Sequence, residues 1–563
     1  MTRNILSVFS ILVTISPICA VAPAEMVVEN ARIWSDGLVG FAEFAAVDDG
    51  RFIYVGERDD AYIGADTQRI DARGRMVLPG LIDAHLHMLS GGRGLSQLQL
   101  REARDREDFI ARIADRARRL PSGGWILGGR WSTESWDDPK QPTKEWVDAA
   151  SGDHPLLLSR MDGHSALVNS IALRLARIDA DGPADPEGGV IERDPLTGEP
   201  TGILRESAMS LVSRHIPAST IDERVESLIA AMREVNRHGI TAVGDIPGIG
   251  ELPVYERLTP ADTTVRLYLY PIASDWNAAV GRVRAFPDRA HWLQINGLKT
   301  FVDGTLGSRT AYMRAPFLGN EPGREDWRGL LREDVLGGRL ERNISAASEA
   351  RLQAIAHCIG DEANHVYLSA LEEGYADLPR ARCRSEHAQH LLPEDIARFA
   401  QLGVIASMQP YHKADDGRYA ESYIGAERSR SSYAFKSLLD AGAVVAFGSD
   451  WPVVTCDPIL GMEAAVTGRT LAGKVFQPQE NLTIAEALRC YTSRAAYALC
   501  AEDEIGRIAP GYRADFVILN GSPFGAEVSW SEIRPVVVYV EGGIVFGKPS
   551  IKAPVDADLR TGD

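Results

Sequence analysis

Apolar and polar positions along this chain follow two regimes. Residues 26–75, which begin "MVVENARIW" and include "GRFIYVG", read as short β-strands broken by Gly and Asp turns, with no helical period. The far end reads the same way, in "ADFVILN" (514–520) and "VVVYVEGGIVFG" (536–547). Between these ends, short continuous apolar runs alternate with helix-like segments, the pattern of parallel βα units. The runs are 76–87, 239–246, 265–271, 295–304, 351–361, 382–390, 403–410 and 443–450. Helix-like spacers include 227–239, 363–374, 393–403 and 432–442, several closed by a Gly after the last turn.

Eight strands in series predict an α/β fold, a (β/α)8 TIM barrel over residues 79–504. The β-rich ends, 25–78 and 505–552, are expected to meet in a small composite β-sandwich, because chain termini often lie close together. About 150 residues separate the first run from the second, too many for one βα unit, so an insertion is expected at about 121–205. It is rich in Trp and Gly ("GGWILGGRWSTESWDD"), and an insertion of this length after a barrel strand tends to build or cover the site.

The first 24 residues change the picture of location. Arg3, an apolar stretch from Ile5 to Ile18 and small residues ending in Ala22 and Ala24 have the layout of a secretory signal peptide cut after Ala24, which predicts a periplasmic or secreted protein. The apolar run falls short of the roughly 20 residues a membrane span needs. A formal net charge of −18 and the lack of a long Lys/Arg run speak against nucleic acid and anionic membranes as partners. The composition, 45% hydrophobic and 25% charged, is that of an ordinary globular protein. Cys19 falls in the leader; of the remaining Cys358, Cys383, Cys456, Cys490 and Cys500, only Cys490 and Cys500 are close enough in sequence to suggest a disulfide, and the others read as buried apolar residues. Self-association is left open.

The chemistry lies where barrel strands end, since active sites of such barrels sit at the C-terminal ends of the strands. His85 and His87, one residue apart, point to the same side of a strand. Lys299 sits on the fourth run, His357 ends the fifth, His387 the sixth and Asp450 the eighth. Each has an ordinary reading, a satisfied core histidine, a turn aspartate or a salt-bridged lysine, but together they form a set of divalent-metal ligands. Burial lowers a lysine's pKa, and the neutral amine can take up carbon dioxide as a carbamate that bridges two cations.

The chain resembles the amidohydrolase superfamily, within it the amidohydrolase-3 or YtcJ-like branch that includes formamide deformylases. The resemblance rests on "LPGLIDAHLH", "LLSRMDGHSALVNS", "GGVIERDPLTGEPTGILRE", "GLKTFVDGTLGSRTA", "AIAHCIGDEAN", "RSEHAQH", "SMQPYH", "AFGSDWPV" and "GRIAPGYRADFVILN", in order along the chain. It implies His85 and His87 as ligands of one metal, carboxylated Lys299 as a bridge, His357 and His387 as ligands of a second metal, and Asp450 as ligand and catalytic proton shuttle. A single-metal variant of the site is the alternative. Zinc is the expected metal, and a metal-activated hydroxide attacking a C–N amide bond of a small N-acyl or N-formyl molecule is the expected reaction. A lactone or ester hydrolase on the same site, or an inactive periplasmic binding or regulatory protein, are the alternatives. Glu362 stands where related sequences carry a basic residue, and "GGRWSTESW" where they carry an Asp after the Trp, which bears on the substrate.

Candidate substrate contacts are Trp131 (with Trp136, as an aromatic wall), His164, Asp303, Arg309, Thr310 and His412. Arg309 is suited to a substrate carboxylate, against the ordinary reading of a loop salt bridge.

Overall fold

The structure, a computed structural model, describes residues 22–133, 136–161, 164–320, 322–333, 335–525, 527–548 and 551–552. The expected signal peptide and Cys19 lie almost wholly outside these residues. Eight buried strands run in the order read from the apolar pattern. They are β1 (Leu81–Leu86), β2 (Ile240–Asp245), β3 (Arg266–Leu269), β4 (Gly297–Phe301), β5 (Gln353–Cys358), β6 (Arg384–His387), β7 (Ile405–Met408) and β8 (Val445–Phe447).

All eight are parallel and group into two sheets. β1, β2 and β3 pair in sequence, with the short strand Leu293–Ile295 at the edge, and β4 to β8 pair in sequence. The sheets touch at both edges: Lys299 N–H donates to Pro271 O at 3.0 Å, and Asp450 N–H donates to His85 O at 2.7 Å. Near-continuous apolar sequence in these strands follows from their being covered on both faces. Ile82, Ala84, Ala242, Tyr268, Ile355, Ile405 and Ala446 share one cluster with Ala495 and Leu499, from the region of helix Ser493–Ala498.

The helices lie where the period places them, with shifted ends. Ile221–Arg237 starts six residues before the predicted position because Thr220 and Glu223 form a reciprocal capping box. Pro393–Leu402 is closed by Gly403 at φ 66°, where a side chain would be strained. Gly374, in contrast, is the last residue inside Asp361–Gly374 and does not cap it.

Both chain ends contribute to two five-stranded sheets. One joins Met26–Glu29, Phe44–Asp48, Arg51–Gly56 and Gln68–Asp71 with Ile551–Lys552; the other joins Arg32–Ile33 and Met76–Pro79 with Phe516–Leu519, Pro535–Val540 and Gly543–Gly547. Val28, Val47, Phe52, Phe516, Val537 and Tyr539 pack in one apolar cluster between them.

The insertion is larger than its expected bounds of 121–205. A six-stranded sheet runs from Leu98–Gln99 to Pro200–Glu206, and helix Arg106–Arg119 packs on it with Phe109 and Ile113 buried. This amphipathic helix, N-capped by Asp105, packs its buried face into the insertion's own apolar cluster. The five described cysteines are free, so Cys490 and Cys500 form no disulfide; four are buried and Cys500 is exposed. Among the described residues no helix is long and apolar enough to cross a membrane.

Candidate metal centre

Period-two alternation on β1 turns Asp83, His85 and His87 to one side. The Asp83 carboxylate accepts from His85 N–H (3.1 Å), Ser449 N–H (3.0 Å) and Ser449 Oγ–H (2.5 Å), and so ties the β1 end to the segment that carries Asp450. Asp245, at the end of β2, does the same for the helix after His87, accepting from Met88 N–H at 2.9 Å and Tyr255 OH at 2.6 Å. Two non-glycine residues at the site, His387 (φ 75°) and Asp450 (φ 58°), adopt left-handed backbone, a strained conformation that the surrounding hydrogen bonds hold in place.

These strand ends converge on a cavity of about 430 Å³ whose lining includes His85, His87, Lys299, His357, His387 and Asp450. His85 Nε2 and His87 Nε2 both face Asp450 Oδ1, at 3.5 and 3.2 Å. One ligand atom each from His85, His87 and Asp450 lie within 4.8 Å of one another, and the same holds for His387, His412 and Asp450. Asp450 thus belongs to two adjacent ligand groups. The His357 ring is 4.5 Å from that of His387, centroid to centroid.

The second nitrogen of each strand-end imidazole is tied to an oxygen. His85 Nδ1 meets Glu386, His87 Nδ1 donates to Ile246 O at 3.0 Å, His387 Nδ1 donates to Gln409 Oε1 at 2.7 Å, and His357 Nε2 donates to Gly304 O at 2.9 Å. With one nitrogen donating, the other presents a lone pair, which is the form a divalent cation needs. The donor set of imidazoles and one carboxylate therefore fits such an ion.

Burial controls the charge states. It pushes His357 down to about 3, helped by the Lys299 ammonium, and holds His387 well below the usual imidazole range, helped by His357. Burial lowers Lys299 to about 8, although Glu386 and Asp450 oppose the shift. Burial would raise Asp450, but the His85 and His87 rings facing its Oδ1 outweigh that and hold it well below the usual carboxylate range.

The residues expected to touch substrate divide sharply. His412 lines the cavity, its ring parallel to that of His387 within 10° and its buried Nε2 without a hydrogen-bond partner. Asp303 is buried just beneath, accepting from Ile359, Gly360 and Tyr312 N–H at 2.8–3.0 Å with His357 Nε2 3.8 Å away. Trp131 and Trp136 form no cavity wall: both lie in the insertion's apolar core, their indole N–H groups donating to Leu158 O and Ala103 O. His164 is exposed and bonds Glu206 at 2.9 Å, away from the cavity.

Arg309 is directed away as well. It donates to Leu318 O (3.0 Å) and Gly319 O (2.9 Å) and stacks over Tyr423, which binds the loop to itself instead of to a ligand. Thr310 Oγ1 accepts from Thr305 N–H at 3.0 Å and meets Ser308 Oγ at 2.6 Å inside the same loop. Glu362 pairs with Arg314 at 2.6 Å.

Several functional residues escape a sequence reading. Glu386 holds His85 and receives a 2.6 Å bond from Arg384 Nε, all three side chains buried. The available signal is "RSEH", in which Arg384 and Glu386 share a strand face beside His387. Gln389, Asp415, Asp416 and Tyr419 line the cavity from loop and helix positions that no period reveals.

Residues 68–546 match the model of the amidohydrolase family. The chain is 34% identical over 550 residues to Protein LONG AFTER FAR-RED 3 of Arabidopsis thaliana, covering 93% of this chain and 91% of that one. It is 31% identical over 505 residues to putative amidohydrolase YtcJ of Bacillus subtilis, covering 87% and 92%. To N-substituted formamide deformylase of Arthrobacter pascens it is 26% identical over 539 residues, covering 92% and 97%. Among solved structures it is similar to an uncharacterized metal-dependent hydrolase from Pyrococcus furiosus, with a TM-score of 0.71 and 26% identity over 89% of this chain and 100% of that one.

Proposed function

The chain belongs to the amidohydrolase family and is a metal-dependent hydrolase of carbon–nitrogen bonds; on that premise we propose that it cleaves an N-acyl or N-formyl amide of a small molecule. The observation that carries this reading is the meeting of four lone-pair imidazoles, a buried lysine and an ionised aspartate in one cavity. The formamide deformylase similarity supports the N-formyl option.

His85, His87, His387 and Asp450, with His357 or His412, would hold one or two divalent ions, with zinc as the proposed metal and Lys299, as a carbamate, the proposed bridge. When bound, such an ion activates water and polarises a carbonyl. Lys299, lowered by burial to about 8, gives up its proton more readily than a free lysine, and the neutral amine is the form that adds carbon dioxide. Asp450, kept ionised, accepts the attacking water's proton at Oδ1 and returns it to the leaving nitrogen. Asp303 holds three amides of the β4 and β5 loops in place, and Glu386 fixes the His85 ring. In this proposal the two parallel sheets form one closed (β/α)8 barrel, and the end sheets a composite β-sandwich.

The test is hydrolysis of N-formyl and N-acyl amines against a panel of lactones by the zinc-loaded enzyme. Release of amine and acid in equal amounts, stopped by a chelator, is expected; turnover of lactones alone would overturn the reading. Export is proposed from the leader, with a mature chain starting at Glu25; N-terminal sequencing of protein from a periplasmic or culture fraction checks it.

A further inference from the structure

One wall of the cavity, opposite in character to the ligand cluster, is built from Gln389 and from Asp415, Asp416 and Tyr419 at the end of helix Pro410–Asp416 and just beyond. Asp416 accepts from Tyr419 OH, from Gln389 Nε2 and, at 2.8 Å, from Tyr433 OH. All three donors are neutral. Among the described residues no Lys, Arg or His forms an ion pair with Asp416, so its half-buried charge has hydrogen bonds but no counter-ion. Asp415 pairs with Arg418.

The same bonds decide which atoms the wall presents. Tyr419 directs its one proton to Asp416, so its oxygen is left to accept. Gln389 is 2% exposed; its amide N–H groups go to Asp416 and, at 3.3 Å, His390 Nε2, and its Oε1 meets no donor among the described residues. Apart from imidazoles, Lys299 is the one basic side chain on the cavity lining among the described residues, and it sits among the candidate ligands. Arg309, the residue suited to an anion, points elsewhere. A carboxylate at this wall would face acceptors and negative charge, whereas an ammonium would find bonding partners and compensate Asp416.

We propose that this wall is a substrate-selecting subsite for a cationic, N–H-rich group, so that the amide cleaved carries a protonated amine on the arm directed away from the ligand cluster. The inference rests on the amide reading above and names the substrate class for that site. Asp415, Val453 and Val454 also line a second cleft, and it is that cleft which holds Arg101, Arg112 and Arg130.

Three probes of matched length separate the cases: N-formyl-1,4-diaminobutane, N-formylpentylamine and N-formyl-4-aminobutanoate. Binding to the zinc-loaded enzyme is measured by calorimetry, and turnover by amine release, for the native chain, Asp416→Asn and Gln389→Leu. The ammonium probe is expected to bind at least about 10-fold tighter than the carboxylate probe, with the ratio falling below about 3-fold in Asp416→Asn and decreasing in Gln389→Leu. Equal or better binding of the carboxylate probe, failure of the ammonium probe to bind, or a preference that survives Asp416→Asn in a folded variant would overturn the subsite. Binding preference without cleavage of any probe would instead count against the amide reading and leave the subsite standing.

Discussion

The imidazole of His85 is bonded through Nδ1 to the carboxylate of Glu386, the residue immediately before His387. One strand end therefore supplies both a ligand and the group that orients a ligand from another strand. Glu386 is also the counter-ion of buried Arg384, and the Arg384 guanidinium first, with the His85 ring next, holds it well below the usual carboxylate range against burial. Glu386→Gln should cost about 3–5 kcal/mol by leaving the Arg384 charge uncompensated. It should also weaken metal binding about 10–100-fold. Urea unfolding and metal content at limiting zinc check both; a variant unchanged in both would refute the role.

Asp450→Asn keeps the shape of the side chain but removes the proton acceptor. Turnover is expected to fall about 10²–10⁴-fold while metal remains on the imidazoles. Single-turnover rates alongside metal analysis would contradict this if activity stayed within a few-fold of the native value.

Arg309→Ala separates loop support from anion binding. Because the guanidinium caps Leu318 and Gly319 carbonyls, the change should lower stability by about 1 kcal/mol and leave the KM ratio of carboxylate to neutral probes unaltered. A selective rise in KM for the carboxylate probe would return Arg309 to the substrate.

Glu234 is lowered to about 2, chiefly by its bond to His238, with burial opposing and Arg237 adding to the effect. A depressed carboxylate stabilises above its unfolded pKa near 4.5, and that stability is lost as pH falls from there toward 2. Glu234→Gln should therefore melt at a lower temperature than the native chain at pH 7, with the gap narrowing toward pH 3. A constant gap across that range would exclude the ion pair as its source.

Chelation should abolish activity and lower the melting temperature, and zinc should restore both, since an ion that binds only the folded chain stabilises it by mass action. Native mass spectrometry of the intact loaded protein, grown with carbon dioxide, should show an added carbon dioxide mass that is lost in Lys299→Ala. Its absence from fully active enzyme would remove the bridge.

The order of the elements and the candidate ligands at the strand ends were legible in the sequence because both follow from local rules. A buried parallel strand is a short apolar run, and period-two alternation puts His85 and His87 on one side. Asp450, His357 and His387 could be singled out because strand ends are fixed points of such a fold. What surrounds them was decided only in three dimensions. The insertion begins near Leu98 because helix Arg106–Arg119 buries Phe109 and Ile113 against the core that also takes Trp131 and Trp136, so these aromatics are packing and not a cavity wall. Arg309 and Thr310 sit at the expected loop yet satisfy that loop's own carbonyls and hydroxyls. Glu386 meets His85 across 301 positions of sequence, and Gln389 meets Asp416 across 27. Periodicity specifies which face a side chain occupies; which group it meets there depends on strands brought together across hundreds of residues.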